Sequence, residues 1–113
     1  MDIQIETTGP YVLAHISGML TAQHAETFTE RLHEYVHGHG AILAIELSQL
    51  TMLDSTGLCA MIGLVTRSRL SSGRVVLIAP SPFVRSILEV THLDSWFEVF
   101  ASLAQASEAI AQE

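Results

Sequence analysis

Two short, almost wholly apolar runs bracket one helical stretch, and that arrangement narrows the choice of fold more than anything else in the chain. The first run is residues 41–47, Ala-Ile-Leu-Ala-Ile-Glu-Leu, set off by Gly40 and Ser48. The second is residues 74–79, Arg-Val-Val-Leu-Ile-Ala, set off by Gly73 and Pro80. A strand with one face in water alternates apolar and polar residues, whereas one that is apolar at nearly every position needs cover on both faces. Between the runs, from Thr56 to about Leu70, the residues Leu58, Ala60, Met61, Ile62, Leu64 and Val65 mark a helix whose first turns are buried. An interior strand, a helix and a second interior strand form a parallel crossover unit.

The rest of the chain extends this unit on both sides. Ile3 and Ile5 alternate with polar neighbours, Gly9-Pro10 punctuates, and Tyr11 to Ile16 gives a second strand that Gly18 ends. From Thr21 to His37 the residues Ala25, Phe28, Leu32, Tyr35 and Val36 recur at helical spacing. A short loop runs from Gln49 through Met52 to Leu53-Asp54-Ser55. Ser81 or Pro82 opens a helix carrying Phe83, Val84, Ile87 and Leu88. Trp96 to Phe100 reads as a short last strand, and Leu103, Ala106 and Ile110 mark a closing helix. The predicted architecture is a single α/β domain over residues 1–113, ordered β-β-α-β-α-β-α-β-α. Its mixed sheet is mostly parallel, with an antiparallel N-terminal hairpin and helices packed on it. An exposed edge strand can pair with another chain or stay capped, which leaves the oligomeric state open.

Composition removes several functions. The chain has 12 acidic residues against 5 arginines, no lysine, and a net charge of −7. Nucleic-acid binding needs a basic face that displaces counterions, and anionic membrane surfaces repel this charge for the same reason. A partner with a basic surface suits it better. One cysteine, Cys59, allows no intrachain disulfide. The first ten residues have no basic start and no continuous apolar stretch, and no run approaches the ~20 apolar residues of a membrane span. These features predict a soluble, cytoplasmic protein with no membrane insertion.

The segment Asp54-Ser55-Thr56-Gly57 lies where the central strand region gives way to a helix, the position at which α/β folds gather ligands and reactive groups. A helix N-terminus presents free amides and about half a positive charge, so it accepts an anion such as phosphate. Two readings stand side by side. Asp, Ser and Thr are favoured N-caps, and the segment can simply start a helix. Alternatively, Ser55 is a phosphate acceptor: the phosphate brings about −1.5 to −2 charge, and a cost of each ~1.4 kcal/mol in an interface weakens binding tenfold. Gly57 lets a partner's backbone or a nucleotide phosphate approach closely. No Gly-x-Ser-x-Gly elbow surrounds Ser55 and no phosphate-binding glycine loop is present, which argues against an enzyme and calls for no cofactor.

Leu53-Asp54-Ser55-Thr56-Gly57-Leu58, after an apolar strand and before a buried helix, resembles the signature of the STAS family, which includes bacterial anti-sigma factor antagonists. The resemblance spans nearly the whole chain: the order of elements, Gly18-Met19-Leu20 before the first helix, Gly73 before the later inner strand, and Pro82-Phe83-Val84. It implies a phosphoacceptor at Ser55, with Asp54, Thr56, Gly57, Leu58 and Thr21 in the partner-binding surface. It implies as partners an anti-sigma factor that is also a serine kinase, which the unphosphorylated protein binds to free a sigma factor, and a serine phosphatase. Phosphorylation ends the binding. Where such proteins usually carry an acid at the start of the first helix, this chain has Thr21, which can still cap the helix. Family members that serve as interaction subunits of transporters or signalling scaffolds, without phosphate control, are the alternative. A hydrolytic or small-molecule-binding enzyme using Ser55 is a third.

Among other residues, His33 and His37 are four apart on the predicted first helix, with His39 beyond and Glu34 near. They read as surface histidines rather than a metal set. Cys59 reads as a small buried apolar residue, and Trp96, Phe97 and Phe100 as core at the sheet edge. Arg67, Arg69, Arg74 and Arg85 read as surface charges.

Overall fold

The computed structural model describes residues 1–112. In chain order the elements are β1 (Asp2–Thr7), β2 (Val12–Leu20), α1 (Ala25–His33), β3 (Ile42–Glu46), β4 (Leu50–Leu53), α2 (Ser55–Leu70), β5 (Arg74–Ile78), α3 (Pro82–Val90), β6 (Glu98–Phe100) and α4 (Leu103–Ala111). The main sheet runs β1-β2-β3-β5-β6, with β1 antiparallel to β2 and the other pairs parallel. This is the expected α/β architecture and order, with β4 added.

The two apolar runs are the inner strands β3 and β5, paired in parallel from Ile42↔Arg74 to Glu46↔Ile78. Side chains alternate between faces along a strand, and here both faces are buried. Leu43, Ile45, Val75 and Leu77 enter a large core shared with Phe28, Leu32, Met61, Leu64 and Leu88. Ala44, Val76 and Ile78 enter a smaller core closed by Ala106 and Ile110 of α4. Helices therefore cover the sheet from both sides, with α4 alone opposite the others.

β4 takes the place of the expected loop before Asp54. It pairs in parallel with the far end of β2, and the register shifts between Gly18 and Met19. Gly18 has φ +85°, a conformation that costs glycine little and lets β2 leave β3 and take up β4 as its neighbour. The first helix is shorter than the spacing predicts. Residues 21–24 form a turn in which the Thr21 carbonyl accepts the His24 and Ala25 amides at 2.8 and 3.0 Å. After His33 the chain tightens into bonds three residues apart, from Tyr35 to Leu32 and from Val36 to His33. Trp96 and Phe97 precede β6 instead of opening it. Phe97 is buried, while Trp96 is half-buried and stacks under the Arg69 guanidinium 4.3 Å from its ring centre.

Candidate functional site

Asp54 is the N-cap of α2, and its carboxylate works in two directions. Oδ1 accepts the Gly57 amide at 2.8 Å, the usual side-chain cap. Oδ2 accepts the Ala22 amide at 2.9 Å, from the turn that leads into α1. One side chain thus holds the starts of two helices together. These amides, Gly57 first and Ala22 next, lower the Asp54 pKa below its ordinary 3.8, against a smaller opposing effect of partial burial. Asp54 is an anion held in place rather than a proton carrier.

Ser55 is the first residue of α2 and is exposed, as is Thr56. Leu58 is half-buried and packs against the large core. Gly57 is buried, and its missing side chain is used by the fold itself. A Cβ there would lie 2.1 Å from the Leu20 carbonyl oxygen and 2.9 Å from its carbon. Within the fold, the bare Gly57 lets α2 seat against the end of β2. Leu20 is in turn paired with Leu53 across β2 and β4, directly before the Asp54 cap.

Thr21 is not the cap of α1. The N-cap position is His24, which makes no side-chain cap bond. The Thr21 hydroxyl lies 3.0 Å from His24 Nδ1, so the two side chains close the turn on each other. Ala22 was invisible in the sequence because it contributes a backbone amide, which carries no side-chain signal. Cys59 is exposed, contrary to the expectation of burial. The core side of α2 is Gly57, Met61, Leu64, Val65 and Ser68, a stripe at helical spacing that leaves position 59 facing out. The rings of His33, at the end of α1, and His37, beyond it, approach to 4.9 Å, and both residues are exposed. Among the described residues no group of three or more His, Cys, Asp or Glu is placed to hold a metal ion, and no helix is long and apolar enough to cross a membrane.

The fold and site define a small α/β domain that presents a serine on a capped helix start beside a sheet end. The STAS domain family model matches residues 2–106. The chain belongs to the STAS domain family. Over 84 residues it is 29% identical to an anti-sigma-B factor antagonist of Listeria monocytogenes, covering 74% of each chain. Its fold matches the Bacillus cell fate determinant SpoIIAA in the phosphorylated form with a TM-score of 0.72, at 21% identity, over 96% of this chain and 99% of that one. It also matches part of the murine anion transporter Slc26a9 with a TM-score of 0.80, at 14% identity, over 96% of this chain but 19% of the transporter.

Proposed function

We propose that this protein is an anti-sigma factor antagonist. It binds an anti-sigma factor that is also a serine kinase, and phosphorylation of Ser55 ends the binding. The observation that carries this reading is the exposed Ser55 at the first position of α2, beside a carboxylate already fixed by two amides. A kinase can reach the hydroxyl without unfolding anything. The added dianion lies at the positive end of a 16-residue helix, which offsets part of its charge. Asp54 next to it opposes the phosphate, so the surface becomes sharply anionic while the core stays as it is. The similarity to an anti-sigma-B factor antagonist and to a protein solved in phosphorylated form supports this reading. Asp54, Thr56, Leu58 and Thr21 rim the surface; Gly57 shapes it from below. Under this reading the domain acts by binding, without catalysis, and a serine phosphatase resets it.

Incubation with the kinase and ATP then adds one phosphate, and Ser55→Ala takes up none. Phosphate incorporation that survives Ser55→Ala would contradict the assignment. The second reading, an interaction subunit of a transporter or scaffold, is favoured by the fold match to an anion transporter. It predicts a transporter or scaffold partner whose affinity is indifferent to Ser55→Asp.

A further inference from the structure

The sheet face that α4 leaves uncovered carries a second kind of surface. Met19 and Met52 stand directly opposite each other in the β2–β4 pair, 46% and 41% exposed, while Leu20 and Leu53 next to them are buried. Ser17, two positions before Met19, and Gln49, three before Met52, line a groove of about 450 Å³ together with Asp2, Glu6, His15 and Glu46. Register places these side chains on one face, because Asp2 is opposite Ser17 and His15 is beside Glu46. None of the lining residues is Lys or Arg. His15 lies 3.4 Å from Glu6 and 3.9 Å from Glu46. An apolar pair therefore ends a trough of carboxylates. The thioethers are flexible and polarisable, so they adapt to apolar groups of different shape.

We propose that this face docks a partner segment with an apolar anchor for Met19 and Met52 and arginine or lysine for the groove of Asp2, Glu6 and Glu46. Charge complementarity selects this occupant. A second copy of the chain would bring a net charge of −7 to an anionic groove. The spacing is also set. Met19 lies four positions beyond His15 along β2, about 13 Å at ~3.3 Å per residue. An extended segment thus carries its basic residue about four positions from its anchor. The groove residues lie outside the Asp54–Leu58 segment, and the proposal does not rest on phosphorylation of Ser55.

The test uses the full chain carrying 13C-labelled methionine methyls. It is titrated with the synthetic peptide acetyl-Leu-Leu-Gly-Ser-Gly-Arg-Arg-amide, and separately with the same peptide bearing glutamate in place of both arginines. The arginine peptide shifts the Met19 and Met52 methyls and leaves buried Met61 unmoved, and the glutamate peptide shifts neither. Glu6→Gln combined with Glu46→Gln weakens the arginine peptide about tenfold, and Glu108→Gln, an exposed acid of α4 outside the groove, leaves it unchanged. Equal responses to the two peptides would overturn the proposal, as would Met19 and Met52 signals that stay still at millimolar arginine peptide. Shifts that depend on protein concentration without peptide would assign the face to a second copy instead.

Discussion

Asp54 and Gly57 show how single residues fix the site. The Asp54 pKa is lower folded than unfolded, so its contribution to stability is fully present above about 3.8 and is lost as pH falls through the lower folded value. Asp54→Asn keeps one acceptor for the Gly57 amide but turns a donor toward Ala22. It is expected to remove that part of the acid dependence, lower Tm by several degrees and speed hydrogen exchange at the Ala22 amide. Unchanged exchange at Ala22 would show that the bridge between the helix starts is not needed. Gly57→Ala places a methyl against the Leu20 backbone, which cannot swing aside as a side chain could. A loss of about 3 kcal/mol in denaturant unfolding is expected.

At the scale of elements, Ala79 follows β5 with φ +51°, held there by the hydrogen bond its N–H donates to the Phe100 carbonyl oxygen at 2.8 Å. A non-glycine residue in this left-handed region costs about 1–2 kcal/mol. Ala79→Gly relieves this but gains freedom in the unfolded chain, so a net stabilisation of about 0.5–1 kcal/mol is expected, read as a higher denaturant midpoint at constant slope. A lower midpoint would mean the turn is not strained. The inner strands were legible because burial on both faces writes continuous apolar runs. β4 was not, because Leu50-Thr51-Met52-Leu53 is buried only at its ends and lacks alternation. It exists because β2 changes neighbours at Gly18, a tertiary event. The ends of α1 were misread for a related reason: Asp54, more than thirty residues along the chain, holds Ala22 in a turn. Cys59 was misplaced because α2 carries apolar residues around its whole circumference, which hides its core side. Ser55 itself was legible from local sequence as a helix start, and its proposed role as a phosphoacceptor draws on family resemblance.

For the whole molecule, the net charge of −7 predicts that association with a basic partner is steered over long range. The association rate is expected to fall several-fold between low and physiological salt, with dissociation little changed. Parallel losses in both rates would instead point to partner unfolding. The fold itself is expected to tolerate a negative charge at Ser55, since a helix start favours one; Ser55→Asp should unfold within about 0.5 kcal/mol of the parent. Stability and binding are thereby separable, and the comparison that decides the matter is calorimetric titration of the kinase anti-sigma factor with the parent, Ser55→Ala and Ser55→Asp proteins. If Ser55 is the switch, the parent and Ser55→Ala bind alike and Ser55→Asp binds at least about tenfold more weakly. Equal affinity for all three would contradict it.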